Sequence, residues 1–119
     1  MKQQINEIRD NRPWGYYDVL LDTPICKVKH IIVNGKQRLS YQYHEQREEY
    51  WTIIKGHAIV TLNDKTIQLK DGDQIHIPQK AKHRIENPNQ TPLQFIEIQR
   101  GSYFGEDDIV RLEDDYNRN

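Results

Sequence analysis

Short β-like runs recur along this chain at intervals of about ten residues, each closed by a turn signal, and this rhythm restricts the fold more than any single residue does. The runs are 26–33 before Asn34-Gly35, 50–54 before Lys55-Gly56, 58–62 before Asn63-Asp64, 66–69 before Asp71-Gly72-Asp73, 74–77 before Pro78, and 93–99 before Gly101. Many short strands with regular turns make a sandwich or a barrel. Only 35% of the residues are hydrophobic and the mean hydropathy is -0.96, so the apolar side chains must be used efficiently. Alternation on strands does this; a thick helical bundle does not. An all-β shell is therefore expected. No internal repeat, low-complexity stretch or linker interrupts the pattern, and 119 residues suffice for one core. The expectation is a single domain over 1–119, with a core at about 25–100 and an N-terminal arm and C-terminal tail packed on it. The last stretch, 105–119, is expected as a short helix or an ordered tail.

The charge balance argues against some functions. With 17 Lys and Arg against 18 Asp and Glu, the net charge is -1, which implies no basic face for a nucleic acid. One cysteine, Cys26, excludes an intrachain disulfide and fits a reducing compartment; its expected place is a buried strand position. No apolar run reaches the roughly 18 residues of a membrane span. The start Met1-Lys2-Gln3-Gln4-Ile5-Asn6 lacks the apolar centre of a signal peptide. The expected location is the cytoplasm, with no membrane and no nucleic-acid partner.

Chemistry gathers in two glycine-bracketed units, Gln42-x-His44-x4-Glu49-x6-Gly56 and Gly72-x5-Pro78-x4-His83-x3-Asn87. Residues two apart on a strand share a face, so Gln42 and His44 point the same way. Glu49 returns to that face only if the chain bends at Glu45-Gln46-Arg47, and His83 must arrive from another strand. Gln42, His44, Glu49 and His83 together form a mixed N/O set for one divalent ion, suited to manganese, iron, cobalt, nickel or zinc. His30, His57 and His76 read as surface or packing residues, and Lys80, Lys82 and Arg84 as a solvated basic rim.

These units resemble the paired motifs of the cupin superfamily, G-x5-H-x-H-x3,4-E-x6-G and G-x5-P-x-G-x2-H-x3-N, with Gln42 at the first histidine and Lys80 at the glycine after Pro78. From Arg12 to Arg118 the chain is similar to the C-terminal isomerase domain of bifunctional mannose-1-phosphate guanylyltransferase/type II mannose-6-phosphate isomerases. The likeness includes Arg12-Pro13-Trp14-Gly15, Leu39-Ser40, Trp51, Glu86-Asn87-Pro88, Ile96-Glu97, Gly101-Ser102-Tyr103 and the run from Gly105 through Arg111. It implies a single-domain cupin, a double-stranded β-helix or jelly-roll barrel. Where that family runs Q-M-H-H-H-R-x-E-H-W, this chain has Gln42-Tyr43-His44-Glu45-Gln46-Arg47-Glu48-Glu49-Tyr50-Trp51, losing two histidines after His44 and one beside Trp51. No glycine-rich phosphate loop is present, so the chain is not expected to make a nucleotide sugar by itself.

Aldose–ketose isomerisation moves a proton between C2 and C1 of a sugar phosphate through an enediolate. A divalent metal stabilises the developing oxyanion, and a base with a raised pKa carries the proton. Glu97 is the favoured base, because it interrupts the apolar run Phe95-Ile96-Glu97-Ile98; its alternative role is as partner to a buried arginine. Glu49 is a weaker base, since metal binding lowers its basicity. The resemblance carries over Arg12, Arg47, Arg111 and Arg118 as functional arginines. Of these, Arg12, Arg111 and Arg118 are assigned to the phosphate, and Arg47 and Arg111 join Glu97 in catalysis. Arg12 alternatively anchors the Pro13-Trp14-Gly15 turn. The expected function is a metal-dependent, homodimeric mannose-6-phosphate isomerase. A non-catalytic, metal-containing sugar-binding or regulatory cupin is the alternative, and an iron oxygenase a third.

Overall fold

The computed structural model describes residues 9–118, and among them there are eleven strands and no helix. The strands are β1 (Arg9–Arg12), β2 (Gly15–Asp22), β3 (Cys26–Val33), β4 (Tyr41–Tyr43), β5 (Arg47–Lys55) and β6 (His57–Leu62), followed by β7 (Lys65–Lys70), β8 (Gln74–Ile77), β9 (His83–Glu86), β10 (Leu93–Gly101) and β11 (Val110–Glu113). They form two antiparallel sheets, ordered β1-β2-β3-β10-β5-β8 and β11-β4-β9-β6-β7. The apolar core lies between them, built on Trp14, Ile31, Val33, Ile53, Val60, Ile85, Leu93 and Phe95. The all-β expectation holds. The segment 1–8, to which the polar arm belongs, lies outside the described residues.

Strand β10 sets the layout. Its inward residues are Leu93, Phe95, Glu97 and Gln99, all buried, while Gln94, Ile96 and Ile98 face outward. The registers align like with like: Phe95 stands beside Ile31 and Ile53, Glu97 beside Lys29 and Trp51, and Gln99 beside Lys27 and Glu49. In the second sheet β9 repeats the gradient, with Ile85 followed outward by His83. One end of the barrel is therefore dry, and the other carries buried polar groups whose cost is offset only by partners. Each of Phe95, Ile53 and Leu93, fully buried, contributes about 1.5–3 kcal/mol at the dry end.

Turn chemistry holds the polar end in place. Gly56, at φ 117°, reverses β5 into β6 in a backbone region closed to other residues. Lys80 has φ 69° and donates its N–H to the carbonyl of His44 at 2.8 Å, so a left-handed residue ties the loop before β9 to the end of β4. That conformation explains why the motif prefers glycine at this position.

The C-terminal stretch forms a strand rather than the helix considered above. Its β11 pairs with β4, setting Arg111 opposite Gln42. The exposed edge of β4 offers unpaired backbone groups that a strand satisfies and a helix does not. Cys26 is only partly buried, because it opens β3 at the barrel rim.

Candidate active site

His44, Glu49 and His83 meet at the polar end, with one ligand atom from each lying within 4.8 Å of the others and all three buried. Their order along the chain explains this. Strand β4 ends, the chain bends through Glu45 and Gln46, and β5 brings Glu49 back to the same face. His83 arrives on β9, its backbone paired with Gln42. The imidazoles are oriented from behind: Nδ1 of His44 donates to the carbonyl of Asp108 at 2.5 Å, and Nδ1 of His83 to that of Ala81 at 2.9 Å. Both Nε2 atoms then point lone pairs at Glu49, 3.4 Å away for His44 and 3.8 Å for His83. Gln42 donates its amide N–H to Ser40, leaving its carbonyl oxygen as the remaining acceptor.

The protonation states suit a cation. Burial drives His44 down to about 4 and lowers His83 as well, so both are neutral at pH 7. Burial pushes Glu49 up, but His44 and His83, which take up protons in acid before Glu49 does, and the permanent charge of Arg47 hold it below the usual carboxylate range. Two neutral imidazoles, a carboxylate and an amide oxygen are the donor set that a divalent transition metal takes. The residues fit the ion expected from the sequence.

Arg47 and Glu97 flank the cluster. Arg47 Nε donates to Glu49 at 3.0 Å and Nη2 approaches His44 Nε2 at 3.3 Å. Burial, joined by the negative charge of Glu49, pushes the Glu97 carboxyl up to about 8. The protonated Glu97 shares a hydrogen bond with Glu49, and its Oε1 accepts from Gln99 Nε2 at 2.5 Å. Its hydrogen bonds thus lie with Glu49 and Gln99, and Arg47 acts on it only through charge.

A cleft of about 580 Å³, counted out to its open mouth, joins this cluster to the arginines. Arg12, Arg111 and Arg118 all line it. Three arginine nitrogens there are buried with no hydrogen-bond partner among the described residues: Arg12 Nε, Arg47 Nη1 and Arg111 Nε. Buried guanidinium N–H groups without acceptors are uncommon and mark a place for an anion. Arg12 lies in β1, with Nη2 on Asp10 at 2.9 Å and on the Tyr17 hydroxyl at 3.3 Å. Arg118 is different, for Asp114 holds it through two contacts of 2.9 and 3.0 Å.

Other expectations change. Arg84 is not on a solvated rim; it is 7% exposed and donates to the carbonyls of Leu39 and Glu113. Lys82 is on the surface, paired with Asp64 at 3.0 Å. His30, His57 and His76 bond to Gln94, Gln68 and Glu48, away from the cluster. Asn87 is structural, its amide donating to the carbonyls of Val33, Asn34 and Thr91. Sequence reading missed Lys29 and Glu106, which line the same cleft and pair at 2.8 Å. The signal for Lys29 was its parity with Ile31 and Val33; Glu106 sits in irregular chain, and its one mark was its place in the run from Gly105 through Arg111 that carries the family likeness.

Comparisons with known proteins agree with this architecture. The family model for "Mannose-6-phosphate isomerase C-terminal" matches residues 2–114. The alginate biosynthesis protein AlgA of Pseudomonas aeruginosa is 49% identical over 107 residues, covering 90% of this chain and 22% of that protein. A mannose-1-phosphate guanylyltransferase of Klebsiella pneumoniae is 45% identical, covering 90% of this chain and 23% of its own length. The chain thus spans about a fifth of the length of these relatives. Among solved structures, the capsular polysaccharide assembling protein CapF of Staphylococcus aureus superposes with a TM-score of 0.79 at 18% identity, over 92% of this chain and 35% of that one. The oxalate decarboxylase of Lactobacillus farciminis does so at 0.78 and 19%, over 90% and 34%. With the double-stranded β-helix fold of the cupins and a family match over nearly its whole length, the chain belongs to the mannose-6-phosphate isomerase C-terminal family.

Proposed function

We propose that the cleft binds a sugar phosphate beside one divalent metal and interconverts aldose and ketose, with mannose 6-phosphate and fructose 6-phosphate as the preferred pair. The observation that carries this reading is the meeting, in one cleft, of a metal-capable cluster, an unusually basic carboxyl and three unpartnered arginine nitrogens. Gln42, His44, Glu49 and His83 hold the metal, which when bound supplies Lewis-acid stabilisation of negative charge on the sugar oxygens. Arg12 and Arg111 take the phosphate, with Arg118 supporting from the tail. Arg47 donates to the sugar oxygens near the reacting carbons. Glu97 acts in its ionised form, which a pKa of about 8 leaves accessible near neutral pH: the carboxylate removes the proton from C2, exchanges it with solvent and delivers one to C1.

The lost histidines do not weigh against turnover. Glu45, Gln46 and Tyr50, which stand where the resembling family has them, are exposed, and none lines the cleft. This favours the catalytic reading over a non-catalytic sugar-binding or regulatory role. A homodimer in the cytoplasm completes the proposal. Among the described residues, strand β1 is the outer strand of its sheet, and an outer edge supports pairing between copies.

The test is conversion of mannose 6-phosphate to fructose 6-phosphate by the metal-supplemented chain under anaerobic conditions. Turnover is expected. Metal uptake and sugar-phosphate binding without turnover would establish the non-catalytic role instead.

A further inference from the structure

The proposed reaction leaves two cations of the cleft wall unused: Arg84, which is committed to the carbonyls of Leu39 and Glu113, and Lys29, whose surroundings are unusual. It projects from the inward face of β3, opposite Glu97, and its side chain is 4% exposed. Its ammonium lies 4.0 Å from the centroid of the Tyr17 ring, the ring that Arg12 also approaches, at 5.6 Å. Lys29 and Arg12 therefore converge on the same aromatic side chain at the cleft. A buried ammonium needs an anion nearby, and here Glu106 supplies it at 2.8 Å, with Lys27 farther off at 3.9 Å.

Glu106 is placed differently from the other carboxylates of the site. Glu49 and Glu97 are fixed on β5 and β10, whereas Glu106 comes from the irregular segment joining β10 to β11. Its side chain is 41% exposed, against 4% for Lys29. The carboxylate can turn toward water while the lysine cannot follow it, so the turn is favourable only when another anion takes its place at Lys29. Glu106 also acts through charge on Arg47 and Arg111, two of the three arginines with unpartnered nitrogens. Its charge thus stands among the same cations that an anionic ligand must engage. The backbone around it is independently fixed, because Asp108 accepts from the N–H groups of Glu45 and Gln46 at 3.1 and 3.0 Å. A rotation of the Glu106 side chain therefore needs no loop opening.

Building on the sugar-phosphate reading, we infer that Lys29 is a further phosphate-binding cation and that Glu106 is an internal competitor, a carboxylate that the ligand's phosphate displaces from Lys29. The pair selects for doubly charged ligands. A dianion regains more from Lys29 and the arginines than a single carboxylate does, whereas a monoanion or a neutral sugar leaves Glu106 in place.

Calorimetric titration of the full chain with mannose 6-phosphate, inorganic phosphate and neutral mannose tests this. Glu106→Gln removes the competing charge while keeping size and an acceptor. It is expected to tighten both phosphate ligands by about three- to tenfold, the scale of part of one charge-assisted hydrogen bond. Binding of neutral mannose is expected to stay the same. Lys29→Met is expected to weaken both phosphates by about tenfold or more on the same scale, whatever stands at 106. If Lys29→Met fails to fold, the Glu106→Gln result decides alone, checked by an unchanged circular dichroism spectrum. Unchanged or weaker phosphate binding in Glu106→Gln overturns the inference while leaving the sugar-phosphate reading intact. Failure of the wild type and Glu106→Gln alike to bind either phosphate overturns that reading, and the inference with it.

Discussion

Nη2 of Arg47 lies 3.3 Å from Nε2 of His44, at the one lone pair that this imidazole has left for a metal. A ring nitrogen accepts one hydrogen bond or one metal bond, so Arg47 and the ion compete for His44. Arg47→Gln is expected to bind the metal about tenfold more tightly, a change of about 1.4 kcal/mol. Without metal the same variant leaves Glu49 buried beside a lost cation, and destabilisation of about 3–5 kcal/mol is expected. Metal titration and thermal melts with and without the ion check both. His83→Ala should instead abolish stoichiometric metal retention, and equal retention by that variant would contradict the site.

The arginines of the tail should not behave alike. Arg111 has a buried Nε without a partner, while Arg118 is held by Asp114. Arg111→Ala is expected to weaken sugar-phosphate binding by about 1.5–3 kcal/mol, the range for hydrogen bonds to charged groups. Arg118→Ala should cost less, since its guanidinium is already committed. Binding titrations of the two variants, with metal content monitored, distinguish them.

The metal-free protein should lose stability as pH rises from 6.5 to 8. Glu97, pushed up to about 8 by burial and by Glu49, keeps a proton when folded that the unfolded chain has released, so folding is favoured at low pH and disfavoured as pH climbs toward 8. His44, lowered to about 4, acts oppositely but only below its unfolded value of 6.5. The slope above 6.5 is at most about 1.4 kcal/mol per pH unit for one proton. Urea denaturation at three pH values should show it, and Glu97→Gln should flatten it.

Lys80→Gly should be stabilising. Lysine at φ 69° carries a steric penalty of about 1–2 kcal/mol that glycine avoids, reduced by the greater freedom of glycine in the unfolded chain. A net gain of a few tenths to about 1 kcal/mol is expected from denaturant midpoints.

Much of this architecture was legible from period-two alternation. Strands β3 and β8 match the runs read from the sequence, and β5, β6, β7 and β10 extend theirs by a few residues, because hydrogen bonding continues past the apolar part. Strands β1 and β11 were missed. Each has four residues, β1 polar throughout and β11 with its two apolar residues, Val110 and Leu112, facing outward, so neither carries a core-facing apolar signal, and each exists because a neighbour's edge needs a partner. Strand β2 was hidden because its apolar residues are contiguous rather than alternating. At the site, His44, Glu49 and His83 were legible because motif spacing reflects the bend after β4. The Lys29–Glu106 pair was not, since 77 residues separate its members and only the folded chain brings them together.

The central claim is that this cleft moves a proton between C2 and C1 of a sugar phosphate. NMR of mannose 6-phosphate incubated with the metal-loaded chain in D2O measures that directly. The account predicts solvent deuterium at C2 of the aldose and C1 of the ketose, with incorporation about 10²–10⁴-fold slower in Glu97→Gln, the usual contribution of a general base. Binding of metal and sugar phosphate with no deuterium incorporated at either carbon, or incorporation at the wild-type rate in Glu97→Gln, would contradict it.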